Sequence, residues 1–185
     1  MNEKHSVKYI ALLRGVNVGG NNIISMSQLK EAFAEHGFTD VSSYINSGNI
    51  LFSSEKTDEA ALKAECELLI NHKFNLEIIV SIISSADINA AIKHAPEWWG
   101  DDKDVKHNAI FVIPPATPEA LIEQVGVASE YEKLYHYGQV IFWSAPIKTY
   151  SKTRWSKIVG TPAYKSVTIR NANSARKLAA LTCPE

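Results

Sequence analysis

The sequence predicts an α+β protein, a tandem duplication of a ferredoxin-like β-α-β-β-α-β unit, each copy followed by an extra helix. Three observations lead there. Hydrophobic periodicity gives seven elements in the order β-α-β-β-α-β-α, and the same order then begins again. GNILFS (48–53) matches GQVIFWS (138–144) with one insertion, and each is preceded closely by a tyrosine, Tyr44 or Tyr135. Gly48 and Gly138, like Phe52 and Phe142, lie 90 positions apart.

The first element, KYIALLR (8–14), is apolar on both faces and reads as a strand. SMSQLKEAFAEHG reads as a helix: Ser25 and Gln28 have capping-box spacing, Met26, Leu29, Phe33 and Phe38 recur at helical spacing, and Gly37 ends it. VSSYI (41–45) and ILFSS (50–54) form a hairpin around NSGN. A helix over 58–73 places Leu62, Cys66, Leu69 and Ile70 on one buried face, which assigns Cys66 to the core. EIIVSII (77–83) is the next strand and ADINAAIKHA (86–95) a short helix. The second copy runs through strand HNAIFVIPP (107–115), helix PEALIEQV, strands EKLYHY and QVIFWS, a short helix near TRWSKIVG, strand KSVTIR and helix NSARKLAAL. The division is therefore 1–95 for the first subdomain, 96–106 for the connector with its aspartates 101, 102 and 104, and 107–185 for the second.

Composition sets the class. Hydrophobic content of 45% and charged content of 21% belong to an ordinary globular protein. No stretch reaches membrane-spanning length, and the apolar run near the N-terminus is too short for a signal sequence. Two cysteines without a motif suit a reducing compartment, so a cytoplasmic location and no membrane partner are expected. The net charge of −1 hides an asymmetry: from Pro146 onward eight bases face the single acid Glu185, a balance of +7, which leaves −8 for the remainder. Such a split suits an anionic partner for the C-terminal third, attraction between the halves, or a solvated basic face.

Three segments are candidate sites. RGVNVGGNN (14–22) puts Arg14, Asn17, Gly19 and Gly20 between a strand and a helix, where backbone N–H groups can cradle an anion. Its G-x-N-x-G-G spacing is neither a P-loop nor a dinucleotide fingerprint. It also suits a bulged turn with positive φ at Gly19 and Gly20 and with Asn17 bonding its own backbone. The turn YINSGN offers Asn46, Ser47 and Asn49, in a composition that tight turns also favour. The basic segment offers Arg170, Asn171 and Asn173 where a strand meets a helix; one of the two asparagines caps that helix. Lys152, Arg154 and Lys157 flank Trp155, an arrangement that suits nucleic acid or, with Trp155 buried, a core anchor.

The histidines at 5, 36, 72, 94, 107 and 136 have no metal-ligand spacing, and no metal or cofactor is expected. An open-sheet RNA platform is disfavoured, because YIALL and AIFVI are apolar on both sides and predict covered sheet faces. On the strand QVIFWS, Val140 and Phe142 are expected to face the core, with Gln139, Ile141 and Trp143 outside.

The block ALLRGVNVGGNNIISMSQLKEAFAEHGFTDVSSYINSGNILFSS, with TIRNANSARKL near the end, resembles a bacterial family of unknown function, number sixteen-ninety-seven. The resemblance spans nearly the whole chain. It implies a cytosolic bacterial protein of duplicated α+β subdomains and brings no established activity. Two positions depart from the family pattern: Asn21 stands where a lysine is usual, and Ala172 where an aromatic is usual. Both departures count against a charged or stacking contact there. The expected function is binding of an anionic ligand, whether nucleic acid, nucleotide or phosphorylated metabolite, through the Gly/Asn loops and the basic segment. The alternatives are an enzyme on a small anionic metabolite, with Arg14 or Arg170 orienting it, and a protein–protein interaction module.

Overall fold

A computed structural model describes residues 6–100 and 102–183; His5, Asp101 and Glu185 lie outside the described residues. Two compact units emerge, one running through Ile88 and taking in Thr182, the other Asn89–Leu181. Each is a mixed α+β unit on a four-stranded antiparallel sheet.

The first unit holds β1 (Val7–Leu13), α1 (Met26–Glu35), β2 (Thr39–Ser43), β3 (Asn49–Ser54), α2 (Glu59–Phe74) and β4 (Val80–Ser84), with α3 (Ser85–Lys93) after it. The sheet order is β2-β3-β1-β4. β1 is central because its side chains are apolar in both directions. Tyr9, Ala11 and Leu13 join the core that Leu29 and Phe33 of α1 and Leu62, Cys66 and Ile70 of α2 complete, while Ile10 and Leu12 are buried on the opposite face. Ser25 caps α1, its Oγ accepting from Gln28 N at 3.5 Å. Asp58 caps α2 by accepting from Ala60 N and Ala61 N at 3.0 and 3.2 Å. The predicted α2 face is the observed one, and burial pushes the Cys66 thiol up to about 12, the behaviour of a core residue. β4 begins three residues later than the apolar run suggests, at Val80.

The second unit holds β5 (Val105–Val112), α4 (Pro118–Val125), β6 (Lys133–Tyr137), β7 (Val140–Pro146), β8 (Val167–Asn171) and α5 (Ala172–Thr182), in sheet order β6-β7-β5-β8. Here the structure corrects two expectations. The helix expected near TRWSKIVG is a run of three 3₁₀ segments: Ile147–Lys152, Trp155–Gly160 and Pro162–Ser166. The hydroxyls of Thr153 and Thr161 donate to the carbonyls of Tyr150 and Ile158 (2.7 and 2.8 Å), and Gly160 and Pro162 break the chain again before β8, so no α-helical ladder propagates.

The other correction concerns β7. Leu13 N donates to Gly48 O and Val112 N to Gln139 O, both at 2.8 Å, so the position matching Gly48 is Gln139, one residue beyond the glycine that the sequence match aligns. A one-residue slip turns every side chain of a strand over. Ile141 and Trp143 therefore pack with Leu121 of α4 and with Trp155 and Ile158. Val140 and Phe142 lie on the opposite face, where Phe142 meets Trp99 edge-on at 4.9 Å.

The two units also differ between their first strand and first helix. Residues 14–25 make that connection in the first unit and residues 113–117 in the second. Gly48 then fixes how closely the hairpin approaches: its φ is +74°, and a Cβ there would stand 2.8 Å from Leu13 Cβ. Gly48→Ala is expected to destabilise the protein by about 2–4 kcal/mol through overpacking and positive φ, read as a lowered urea midpoint; an unchanged midpoint would contradict this packing.

Candidate functional site

In the first unit the structure brings two of the predicted segments together. The long connection after β1 folds back on itself and is tied to the β2–β3 turn by Asn17. This residue sits at φ 55°; its Nδ2 donates to Ile24 O and to Asn46 O, both at 2.9 Å, and its Oδ1 accepts from Ile24 N at 2.9 Å. The side chain thus replaces a piece of backbone ladder. Asn22, also at positive φ, donates from Nδ2 to Gly15 O (3.1 Å), and Asn17 N donates to Asn22 O (3.2 Å). Asn49 is fully buried, its Nδ2 donating to Tyr44 O (3.0 Å) and Ser47 Oγ (3.1 Å). Arg14 is half-buried, and its N–H donates to Ile79 O at 3.0 Å. Gly19 and Gly20 take the expected positive φ, +59° and +78°, and open space lies where their Cβ atoms would stand. The side-chain amides of Asn17 and Asn22 and the backbone N–H groups of Asn17, Asn21 and Ile24 are thus engaged in the architecture of the loop and its neighbouring turn.

Arg170, Asn171 and Asn173 belong to the second unit. Arg170 lies on β8 opposite Ala109, its Nη1 donates to Ile169 O at 2.9 Å, and burial draws the guanidinium down to about 10. Asn171 is the cap of α5, accepting from Ser174 N at 2.8 Å. Asn171 and Asn173 line a cavity of about 590 Å³ with Lys103, Lys106 and Asn108. Its carboxylate, Asp102, accepts from Asp104 N at 2.9 Å.

Of the basic cluster, Arg154 lies over Gly126 and donates from Nη1 to Val127 O (3.2 Å), while Trp155 is fully buried and donates from Nε1 to Gly126 O (2.9 Å). The indole is therefore a core anchor. Lys152 sits 5.3 Å from the Tyr131 ring centre, and Lys157 is exposed.

Three features escape sequence reasoning. Buried Glu132 accepts from Ser129 N and Oγ, Trp143 Nε1, Arg154 N and Trp155 N at 2.8–3.2 Å. Burial raises its carboxyl, but the donors from Arg154, Ser129 and Trp155 outweigh that and hold it below the ordinary range. His107 and Ser144 face each other across β5 and β7, with Nδ1 and Oγ 2.6 Å apart. Arg176 donates from Nη2 to Trp99 O (2.8 Å) and from Nη1 to Gly100 O (3.4 Å). Glu132 looks in sequence like any loop acid, and the His107–Ser144 pairing needs the β5–β7 register.

Two antiparallel α+β units, a folded-back Gly/Asn loop on one and polar cavities on the other, define a two-unit α+β protein without a helix long and apolar enough to cross a membrane among the described residues. The chain belongs to the DUF1697 family, described as a protein of unknown function, whose model matches residues 7–142. It is similar to the solved structure of the conserved bacterial protein SP0830 from Streptococcus pneumoniae, at 31% identity and a TM-score of 0.84, over 97% of this chain and 100% of that one. None of the curated proteins matches it.

Because its folded carboxyl lies below the unfolded value of about 4.3, Glu132 stabilises the protein above that pH, and the contribution is lost as acid protonates it. Glu132→Gln is expected to cost about 2–4 kcal/mol at neutral pH and to flatten the fall in stability below pH 4, as followed by urea unfolding across pH. Separately, Asn17→Ala is expected to cost about 1–3 kcal/mol and to speed amide exchange at Ile24; unchanged exchange there would remove Asn17 as the tie.

Proposed function

We propose that this is a cytosolic protein made of two ferredoxin-like repeats, over 1–95 and 107–185 with a connector at 96–106 and an extra helix after each, and that the second binds a small anion. Matching strand orders support the repeat. One observation carries the binding reading: the cavity at the start of α5, where Lys103, Lys106, Asn108, Asn171 and Asn173 converge. A helix start presents N–H groups without intrahelical acceptors and the positive end of the dipole, both favourable to phosphate or carboxylate. Two lysines add charge, and three side-chain amides add donors. The Asp102 carboxylate on the wall is occupied by the Asp104 N–H, which limits its opposition to an anion.

A cavity of about 590 Å³ suits a metabolite or mononucleotide more than a strand of nucleic acid. The Gly/Asn loop of the first unit serves in this reading as architecture, with Gly19 and Gly20 as its open tip. The test is a titration with inorganic phosphate, a nucleoside monophosphate and single-stranded RNA at several salt concentrations, read by the amide resonances of Ala172, Asn173 and Ser174. Phosphate or the nucleotide is expected to shift these three, and the paired substitution Lys103→Gln/Lys106→Gln to weaken binding by about tenfold or more. Unmoved resonances at saturating phosphate and nucleotide would overturn the reading. Binding of RNA alone, with a steep salt dependence, would transfer it to nucleic acid.

A further inference from the structure

We propose that a second cavity of the same unit is an acyl-transfer site in which Ser144 is the nucleophile and His107 its general base, acting on a small carboxylic ester. This goes beyond anion binding at α5 and rests on different geometry. The cavity holds about 700 Å³ and is lined by Trp98, Trp99, Tyr131, His107, Ser144 and Arg176 among others. That volume lies within the range of small-molecule sites.

His107 on β5 and Ser144 on β7 are register partners in an antiparallel pair, which places their side chains on one face of the sheet. The 2.6 Å contact between Nδ1 and Oγ is within reach of proton transfer between a nucleophile and its base. Both residues are more than nine-tenths buried yet belong to the cavity wall, so the hydroxyl meets the imidazole with little competing water. The reactive tautomer in this proposal is the one protonated on Nε2, in which Ser144 Oγ donates and Nδ1 is the basic nitrogen. Glu132, also on the wall, is filled by its five donors and is not a competing base.

The other lining residues supply what such a step needs. The Arg176 guanidinium is fixed by the carbonyls of Trp99 and Gly100 and lies 5.2 Å over the Trp99 ring. A held cation in a partly desolvated wall favours the negative charge that develops on an acyl oxygen. Trp98 and Tyr131, both half-buried, give apolar surface for the acyl or alcohol group.

The reaction balances without a further co-reactant. Ser144 Oγ bonds to the ester carbonyl carbon while its proton passes to His107 Nδ1. The carbon–oxygen bond to the alcohol then breaks, and the alcohol leaves with that proton. Water attacks the resulting acyl-serine through the same base; its proton passes by way of His107 to Ser144 Oγ, and the carboxylic acid is released.

The experiment treats the full chain with a fluorophosphonate probe and with p-nitrophenyl acetate, and maps adducts by peptide mass spectrometry. The expected result is one adduct, on Ser144, with p-nitrophenol release. Ser144→Ala should abolish both, and His107→Gln should slow both by about a hundredfold or more. Because the pair is buried, Ser144→Cys serves as a second variant: it keeps a hydrogen-bonding nucleophile and should still be acylated at that position. Arg176→Gln should slow turnover while Ser144 remains the labelled residue. The absence of an adduct on Ser144 in the folded protein, or an undiminished rate in a folded Ser144→Ala variant, overturns the proposal. Because this readout is covalent, its outcome is separate from that of the phosphate titration at α5.

Discussion

The hydrogen bond that closes the end of each central strand fixes nearly everything else in its unit. Leu13 N to Gly48 O in one unit and Val112 N to Gln139 O in the other set which residue of β1 or β5 stands opposite which residue of the hairpin. Once those pairs are set, the period of two along a strand decides what faces the helices. In the first unit Ile50 and Phe52 do so, and in the second Ile141 and Trp143. The same register puts His107 against Ser144 and Trp143 Nε1 within reach of Glu132. The His107–Ser144 contact and the Trp143–Glu132 bond are thus consequences of strand pairing.

Much of the architecture was legible because its causes are local. Ser25 announces a helix start by chemistry that acts within three residues, and the Leu62–Cys66–Leu69–Ile70 stripe needs only helical periodicity. The central strands were legible from their two-sided apolarity, which demands cover on both faces. What stayed hidden depends on non-local choices. The resemblance between GNILFS and GQVIFWS aligns the two glycines, yet the ladder aligns Gly48 with Gln139, and nothing within either segment reports that slip. The 3₁₀ run was hidden for another reason: TRWSKIVG has an acceptable helical pattern, and its failure comes from threonine hydroxyls competing for carbonyls and from Gly160 and Pro162 at its C-terminal side.

The candidate residues divide along the same line. Gly- and Asn-rich composition marked a loop with positive φ at Gly19 and Gly20, and the structure adds Asn17 and Asn22 to them. Composition does not say whether amides face a ligand or one another, because the same groups serve both ends. Asn17 resolves the matter at its own position: two donations and one acceptance, all to backbone, use up its donors on the loop and the neighbouring hairpin turn. At the other end of the chain, Asn171 spends its oxygen on the α5 cap, but capping leaves its amide nitrogen and the start of the helix beside Lys103 and Lys106.

This difference gives a physical account of why the two units diverge at the turn after their first strand. The first unit needs residues 14–25 to cross from Leu13 to α1 while tying down the neighbouring hairpin turn, and Asn17 does both. The second unit crosses the same gap in residues 113–117, with Thr117 capping α4 and Pro118 entering the helix directly. Its hairpin turn is tied to that connection from the other side, Gln139 Nε2 donating to Ala116 O at 3.3 Å, and β7 is further anchored through Trp143 and the Glu132 carboxylate. That carboxylate also gathers Ser129, Arg154 and Trp155, so one buried charge orders the segment that replaces the missing helix. Such a charge is tolerated in the interior only while its donors stay in place, which makes the cavity wall that Glu132, Ser144 and His107 share a rigid one. Rigidity of that kind is what a site needs from its scaffold, and the five donors on Glu132 supply it beside His107 and Ser144.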